Sequence, residues 1–596
     1  MSKKKMPDRK LPDRQPPVSP YAPRAAAPSA KKTERGSMFS ARSIRETIES
    51  LAVAFILAFL FRTFEAEAFV IPTGSMAPTL LGQNKDLLCP KCGYHYQAGA
   101  SSEDEQLAEQ RGVVGGSPNV VAVTCPLCRY TANVDPRTAE GREHPSYGGD
   151  RILVSKFAYE FAQPERWDVA VFKYPGGAQT NYIKRLVGLP NETLRIRHGD
   201  LHTRPDQADD FHIERRPPAK LRAMAQIVYD NDYVLEELTQ KGWPLRWQSW
   251  PAQQSSTSGW TSTDGGRSFQ VDGSSADTQW IRYQHFVPSL EDWALMRTAS
   301  LPKDRRPAPS LVTDFYAYDT SVSRGQPEDQ AHFLGMHWVG DLLLECELHV
   351  TGAEGTAILD LVKGGVHFRC RLDCKTGRAQ LEVDGLPDFK PAAETSVRPG
   401  GKHQVAFANI DGQLVLWIDG SPVTFDGPTD YEPLDNDRPR STADDPLDLA
   451  PAGIGSQSCG LRINHLRLWR DLYYIAAKTG PVTDYPQHSL LHRMSYRQLF
   501  EFWSTPAEWD TAAGGNPFDE RREATFRLEA DQFFMLGDNS PASLDARLWT
   551  EEKYVSRDLL IGKALLIFWP HSFNKLPGTN IPFPFFPNFA RMGFIR

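Results

Sequence analysis

Hydrophobic and polar residues alternate along several short segments of the chain, and this two-residue period predicts β-strands. The alternation is clear in "DRILVSKFAY" (Asp150–Tyr159), "DVAVFKY" (Asp168–Tyr174) and "NYIKRLVGL" (Asn181–Leu189), and Phe69–Ile71 is a further short strand. The segment "MSYRQLFEFW" (Met494–Trp503) is predicted to form a short helix. The pattern therefore predicts a mostly β fold.

Across roughly residues 201–525, short strands recur between turn signals, and Trp, Gly, Asp and Ser become frequent. The clearest hairpin turns at Asp411 and Gly412. In Val366–Leu372 the alternation predicts that apolar side chains face inward and that His367 faces outward. Many strands at this spacing predict a β-sandwich, and its outline resembles the laminin-G or concanavalin-like jelly roll. Such a fold names no ligand, so a sugar- or protein-binding module and a spacer or lid remain alternatives.

The run "LAVAFILAFLF" (Leu51–Phe61) is the most apolar stretch near the start. It is shorter than the roughly 20 residues of a full membrane span. A short or tilted span remains possible, because the Arg62 side chain could place its charge at the membrane–water interface. A signal-peptide core is the alternative, and Ala66–Ala68 resembles a small-x-small cleavage site. The basic region before the run is much longer than that of a usual signal peptide and fits the positive-inside rule. We favour an uncleaved anchor, with everything after Phe64 outside the cytosol.

Composition adds few constraints to this picture. A chain of 596 residues is too long for one core, which predicts three or four domains. A net charge of -7 gives no reason to expect nucleic-acid binding. The first 41 residues are rich in Pro, Ala, Ser, Lys and Arg and are predicted to be a disordered, basic cytosolic tail.

Candidate chemistry begins with Ser75 in "IPTGSMAPTL", where prolines and a glycine surround a single serine. No His or Asp stands at a spacing typical of a Ser-His-Asp triad, and no G-x-S-x-G elbow is present. A nucleophilic Ser75 would therefore need another base. Lys184 has apolar neighbours in "NYIKRLVGLP", and burial there could keep its amine neutral. A hydroxyl that holds the amine would complete a Ser-Lys variant of the triad.

These segments, together with "GDRILVSKFAY" and "GDNSPASLDAR", resemble type I signal peptidase, a membrane-anchored serine protease that removes signal peptides from exported proteins. The resemblance covers roughly Arg42–Gly82, Gly148–Gly199 and Ala524–Arg596, with two insertions between. It implies a β-rich catalytic domain that needs no cofactor for catalysis. It also implies signal-peptide-bearing preproteins and a lipid bilayer as partners. The expected location is the bacterial inner membrane, crossed once, with the catalytic domain on the periplasmic side.

The resemblance also implies a role for each matching residue. Ser75 would be the nucleophile and Lys184 the general base. Ser543 would be the hydroxyl that orients the lysine. The oxyanion hole would consist of the Ser75 backbone N–H and the side chain of Thr73, which stands where relatives often have serine.

Structural support of this site is expected from Asp538 and from an ion pair between Asp545 and Arg547. Two departures from the family pattern stand near them. The usual "GDNRDNS" is "GDNSPAS" here, so Ser540–Ala542 differ, which we interpret as a changed loop that leaves activity intact. Ala546 replaces a common serine, and the lost hydroxyl could weaken the support of the site.

Two C-x-x-C motifs, Cys89 with Cys92 and Cys125 with Cys128, form a second constellation. Four thiolates can hold Zn²⁺ in a closed, structural site, and the matched "CPKC" and "CPLC" sequences are typical of zinc ribbons. Disulfides and redox-active thiols are the alternatives. The signal peptidase family does not ordinarily contain this module.

We therefore predict a membrane-anchored Ser-Lys endopeptidase; the alternative is an inactive scaffold that binds glycan or protein in the cell envelope. The predicted segments are a tail (1–41), an anchor helix (42–64), catalytic parts (65–82, 148–205, 525–596), a zinc-ribbon-like insertion (83–147), a β-sandwich insertion (206–480) and a partly helical return (481–524).

Overall fold

The structure is a computed structural model of the chain, which divides into two compact units, Met1–Phe61 and Arg62–Arg596. In the first unit, residues 47–56 are helical. No helix in the described part of the chain is long and apolar enough to cross a bilayer. The predicted tail and most of the predicted anchor lie outside the described residues. The described ranges are 47–56, 66–104, 119–250, 259–298, 302, 307–326, 335–431, 434–480, 482–509, 516–575 and 581–596.

The second unit is mostly β, as predicted, and an antiparallel eight-stranded sheet supports the candidate site. The strands expected from alternation in the first third of the chain all lie in this sheet, next to strands from the C-terminal segment. One core between the sheet and its neighbours contains Phe172, Leu186 and Phe534. In sheet order the strands are Ala66–Val70, Arg151–Ser155, Leu560–Trp569, Val169–Lys173, Asn181–Gly188, Gln532–Leu536 and Val555–Ser556, with Gly593–Phe594 beside Leu560–Trp569.

A four-stranded antiparallel sheet packs against the same core. Phe526 and Phe534 come from different sheets, and their ring centres lie 4.4 Å apart. The last strand of this sheet, Glu523–Leu528, follows the sandwich in sequence. It pairs with one side of Glu192–Arg197, and Asp200–Pro205, the strand after which the insertion begins, pairs with the other side. In sheet order the strands are His212–Ile213, Asp200–Pro205, Glu192–Arg197 and Glu523–Leu528.

Two large antiparallel sheets form the predicted sandwich and share one apolar core. The first sheet is Thr261–Thr263, Ser268–Val271, Leu461–Arg470, Leu342–Val350, Lys402–Ile410, Gln413–Ile418 and Ser421–Pro422, with Gln226–Asp230 beside Leu461–Arg470. The second sheet is Trp247–Trp250, Gln279–Tyr283, Ala452–Gln457, Thr356–Lys363, Val366–Asp373, Arg378–Val383 and Ala392–Glu394.

His367 lies on the face of its strand away from the apolar core, as predicted, because its neighbours Val366 and Phe368 pack against that core. It is nevertheless buried, with only 7% of its surface exposed. Its Nδ1 lies 2.9 Å from Oδ2 of buried Asp360 on the neighbouring strand. The partner carboxylate makes burial of the imidazole favourable, and the alternation of residue types gives no sign of this pairing.

The cysteine-bearing insertion contains two three-stranded sheets. The first is His95–Gly99, Asn84–Leu88 and Ser146–Tyr147, and the second is Val322–Ser323, Val120–Thr124 and Thr131–Asn133. The strand Val322–Ser323 comes from within the predicted sandwich segment, so the two insertions share a sheet. A two-stranded sheet, Ser572–Lys575 with Pro582–Pro587, lies near the C-terminus.

The α-helices of the second unit are few and short. The helix predicted at Met494–Trp503 is Tyr496–Ser504, and Ser495 begins it with a capping box. The others are Ala158–Phe161, Pro218–Met224, Glu236–Gln240, Leu290–Thr298, Leu490–Arg493 and Pro506–Trp509.

Candidate active site

Ser75 lies in a short 3₁₀ turn, Gly74–Met76, and we call residues 72–78 the nucleophile turn. The position before Ser75 has no room for a side chain, because a Cβ on Gly74 would lie 2.1 Å from the ring of Tyr318. Only 9% of the Ser75 surface is exposed. The ring of Tyr318, a residue of the sandwich insertion, therefore packs against one side of the turn. Ser75 faces the eight-stranded sheet on the other side.

Lys184 approaches Ser75 from the strand Asn181–Gly188. Its Nζ lies 2.8 Å from Ser75 Oγ, and the side chain is buried. Burial lowers the pKa of Lys184 to about 8, although the charges of Asp545 and Asp538 act in the opposite direction. A fraction of the amine is thus neutral near neutral pH, as a general base requires.

Ser543 and Thr73 are the other two residues predicted to act at this site. A Cβ on Gly537 would lie 2.2 Å from Ser543 Oγ and 2.4 Å from the carbonyl oxygen of Ser75, so glycine allows both to approach. Within the described residues, the buried Ser543 hydroxyl has no hydrogen-bond partner, including Lys184. Thr73 is half-buried within the nucleophile turn, directly before the 3₁₀ segment Gly74–Met76, and its side chain makes no capping hydrogen bond there.

The expected ion pair between Asp545 and Arg547 is present, and both side chains are fully buried. Arg547 donates two 2.8 Å hydrogen bonds to the carboxylate, and the backbone N–H of Gly537 donates a third of 3.1 Å. The Ser540 hydroxyl accepts from Arg547 at 2.8 Å and from the N–H of Ile475 at 2.9 Å. Ser540 is therefore part of the buried support of the site, and the interpretation of Ser540–Ala542 as a mere loop change missed this.

Arg185 is a further supporting residue that the sequence did not reveal. It donates hydrogen bonds of 2.7 Å and 2.6 Å to the two carboxylate oxygens of Asp538. Thr79, which directly follows the nucleophile turn, donates 2.5 Å to the same carboxylate. These hydrogen bonds connect the strand Asn181–Gly188, which carries Lys184, to the segment that follows the nucleophile turn. In the sequence, the only sign of this network is the position of Arg185 directly after Lys184.

Asn539 links the nucleophile turn to Asp319 of the sandwich insertion, and the sequence did not reveal this contact. Its backbone N–H donates to the Ser75 carbonyl at 3.1 Å, and its side-chain Nδ2 donates to the Gly74 carbonyl at 3.1 Å. The same Nδ2 donates to Oδ1 of Asp319 at 2.6 Å. Burial raises the pKa of Asp319 to about 7.

The four cysteines of the two C-x-x-C motifs form one cluster, in which all sulfur atoms lie within 4.8 Å of one another. Cys89 Sγ and Cys128 Sγ are 3.5 Å apart, and Cys92 Sγ and Cys125 Sγ are 3.7 Å apart. A disulfide needs about 2.05 Å, so no disulfide joins them here. A tetrahedral Zn²⁺ with Zn–S distances of about 2.3 Å places sulfurs roughly 3.8 Å apart, which this cluster fits.

Comparison with known proteins agrees with the resemblance in the sequence. The family described as signal peptidase, peptidase S26, matches residues 120–234 and 497–569. These segments contain Lys184 and Ser543, whereas Ser75 lies outside them. The finding supports the predicted serine peptidase.

Signal peptidase I of Pseudomonas aeruginosa is 48% identical over 59 residues, which are 8% of this chain and 21% of that protein. A probable signal peptidase I-2 of Synechocystis is 29% identical over 91 residues, 14% of this chain and 41% of that protein. The chain thus spans less than half the length of these relatives. Among solved structures, the carbohydrate-binding module CBM66 of Bacillus subtilis covers 37% of this chain and 94% of its own, at 9% identity and a TM-score of 0.19, which supports no inference.

Proposed function

We propose that this protein is a membrane-anchored serine endopeptidase that cleaves N-terminal signal peptides from exported preproteins with a Ser-Lys dyad. The observation that carries the proposal is the 2.8 Å approach of buried Lys184 Nζ to Ser75 Oγ. Ser75 and Lys184 come from distant parts of the chain, yet their side chains lie within hydrogen-bonding distance. The similarity to signal peptidases adds the substrate class.

In the first step, Ser75 Oγ attacks the scissile carbonyl while neutral Lys184 Nζ takes the hydroxyl proton. The Ser75 N–H and the Thr73 hydroxyl stabilise the oxyanion that forms. When the peptide C–N bond breaks, protonated Lys184 gives its proton to the leaving amine. The acyl ester on Ser75 is then hydrolysed by water, from which Lys184 takes a proton, and the serine hydroxyl is restored.

Ser543 is assigned the task of orienting the amine during these transfers. Its hydroxyl is buried, has no partner in the described residues, and lies close to Gly537, which also approaches the Ser75 carbonyl. The Asp545–Arg547 pair fixes the backbone around Gly537 and Ser543. Neither residue touches the substrate in this mechanism.

The anchor and an exposed apolar surface are proposed to hold the enzyme at the bilayer. Residues 47–56 bear exposed apolar side chains, among them Phe55 at 73% exposure. Near the C-terminus of the chain, Phe583 and Phe589 are 47% and 65% exposed. Aromatic side chains of this kind partition into the lipid headgroup region.

Replacing Phe583 and Phe589 together with serine is expected to reduce sedimentation of the protein with phospholipid vesicles several-fold. The measurement uses full-length protein and a flotation or sedimentation assay. Leu490→Ser, which alters an apolar residue that is 44% exposed in the return segment, is the control. Equal vesicle binding by the double variant and the control would remove this surface from the proposal.

An inactive envelope protein that binds glycan or protein is the other candidate. The buried dyad and the intact Asp545–Arg547 pair do not favour it, because a scaffold without catalysis has no need to bury a lysine against a serine. Any ligand of the sandwich remains unassigned.

Cleavage of a preprotein tests the proposed function directly. Purified full-length protein in detergent is expected to release a mature protein whose N-terminus follows a small-x-small site, and Ser75→Ala is expected to release none. Ser421→Ala changes an exposed serine of the sandwich and should retain full activity. Cleavage by Ser75→Ala at the wild-type rate, or an inert wild type with a correct fold, would contradict the proposal.

A further inference from the structure

The cysteine-bearing insertion contacts the nucleophile turn through one segment of the sandwich region, residues 313–323, which we call the strap. The strap contains the 3₁₀ turn Ala317–Asp319 and the strand Val322–Ser323. Thr320 and Val322 of the strap bind the strand that leads to Cys125, and the neighbouring residues Tyr318 and Asp319 contact the nucleophile turn and Asn539.

The two C-x-x-C loops have the same backbone geometry. The Cys89 carbonyl accepts from the N–H of Gly93 at 2.9 Å, and the Cys125 carbonyl accepts from the N–H of Arg129 at 3.1 Å. Gly93 and Arg129 both have positive φ, at 76° and 59°. A positive φ is uncommon for arginine. Arg129 nevertheless has the same backbone conformation as Gly93 at the matching position of the first loop. Two matched loops that converge on four sulfurs are the arrangement of a structural metal site.

The strap is bound directly to the second loop. Val322 pairs with Ala122 in the sheet. The Thr320 hydroxyl accepts from the N–H of Thr124 at 2.9 Å, and Thr124 directly precedes Cys125. The apolar core around the cysteines also includes residues of the strap, so the cluster and the strap pack as one body.

The strap reaches the nucleophile turn in two ways, through Tyr318 and through Asp319. The Tyr318 ring lies between two glycines, because a Cβ on Gly74 would be 2.1 Å from it and a Cβ on Gly99 would be 2.8 Å from it. Asp319 Oδ1 accepts 2.6 Å from Asn539, which in turn donates to the Gly74 carbonyl. The strap thus limits movement of the turn through packing and through hydrogen bonds.

We propose that the four cysteines bind a structural Zn²⁺ that holds the strap in place, and that Asp319 on the strap is a positioning residue for the nucleophile turn. The inference rests on the proposed peptidase function for its activity readout. The metal has no open coordination position and takes no part in bond breaking. Its removal would loosen the strap, and the turn would lose the geometry that keeps Ser75 within reach of Lys184.

Metal content gives the first test. Elemental analysis of full-length protein purified without added metal is expected to find about one zinc per chain, and Cys92→Ser is expected to lose most of it. Hydrogen exchange measured on the same samples should show faster exchange in the strap and in residues 72–78 of Cys92→Ser. Zinc-free wild-type protein with reduced cysteines, or unchanged exchange in the turn after metal loss, would overturn the proposal whether or not the protein cleaves preproteins.

Variants of Asp319 give the second test and separate positioning from folding. Asp319→Ala should keep its zinc, lower kcat about 10-fold or more and leave KM within about twofold, because the substrate contacts remain. Asp319→Asn should recover most of kcat, since its amide oxygen can accept the same hydrogen bond from Asn539. Asp277→Ala, at an exposed aspartate of the sandwich, is the control. Wild-type kcat in Asp319→Ala, or equal defects in the Ala and Asn variants, would refute the role of Asp319.

An inert wild type would refute the peptidase proposal and leave the exchange and zinc measurements as the test of the strap. An active wild type together with wild-type kcat in Asp319→Ala would refute the role of Asp319 and leave the peptidase proposal standing. The two proposals therefore fail on different observations.

Discussion

Lys184→Met is expected to lower kcat/KM for preprotein cleavage by about 10³-fold or more while the protein remains folded. General base catalysis typically contributes 10²–10⁴-fold, and the loss is at the upper end when the base also activates the nucleophile. Methionine is similar in length and suits the buried site, where Lys184 is only 5% exposed. Lys375→Met is the matched control, because that lysine side chain is 67% exposed.

The pH dependence of the wild-type enzyme should identify the same group. Because burial lowers the pKa of Lys184 to about 8, kcat/KM is expected to rise about tenfold per pH unit below pH 8 and to level off above it. A profile that levels off near pH 6.5 would indicate a histidine base instead. Residual activity in Lys184→Met with an unchanged pH profile would exclude Lys184 as the base.

Stability supplies a readout of Lys184 that does not depend on activity. The folded pKa of about 8 lies below the ordinary value of 10.5, so between these values the unfolded chain binds more protons than the folded one. The free energy of unfolding should therefore rise as the pH increases through this interval. Lys184→Met should lack this rise and should be the more stable protein at pH 7, where the wild type buries a charge. Identical pH dependence of the unfolding temperature in both proteins would contradict the assignment.

Much of this architecture could be predicted from local sequence. Strands such as Val169–Lys173 and Asn181–Gly188 are present where the sequence pattern predicts them, although consecutive residues of both are buried. The dyad could be proposed because each partner lies in a short continuous segment: Ser75 is surrounded by prolines and a glycine, and Lys184 has apolar neighbours. Local reasoning succeeds wherever a residue's environment is determined by its sequence neighbours.

It fails where the partner is distant. The contact of Asp319 with Asn539 joins residues 220 positions apart, and that of Arg185 with Asp538 joins residues 353 apart. Nothing near Asp319 in the sequence indicates that it will accept a hydrogen bond from Asn539 next to the nucleophile turn. Ser540 was interpreted as part of a variable loop, because its bond to Arg547 exists only after the loop folds back. Sequence therefore predicted the proposed reacting groups and the Asp545–Arg547 pair, but not the contacts that Arg185 and Asp319 make with distant residues.

Arg547→Ala is expected to have the largest effect on stability, because it leaves the Asp545 carboxylate buried without its counter-ion. Breaking a buried pair in this way costs about 3–5 kcal/mol, and both side chains are 0% exposed. Arg438→Ala is the control, since its ion pair with Asp519 is 43% and 52% exposed and should contribute at most about 1 kcal/mol.

A chain with several domains need not unfold in one step, so the effect of Arg547→Ala is best measured locally by native-state hydrogen exchange. The amide of Gly537 donates to Asp545 and should exchange more than about 10²-fold faster in the variant, whereas it should be unaffected by Arg438→Ala. The double variant Asp545→Leu with Arg547→Met should be more stable than Arg547→Ala, because it leaves no unpaired charge in the core. If the double variant is stable but inactive, the ion pair is needed for the geometry of the site as well as for its stability. Equal exchange at Gly537 in the wild type and in Arg547→Ala would show that the ion pair supports neither the geometry nor the stability of the site.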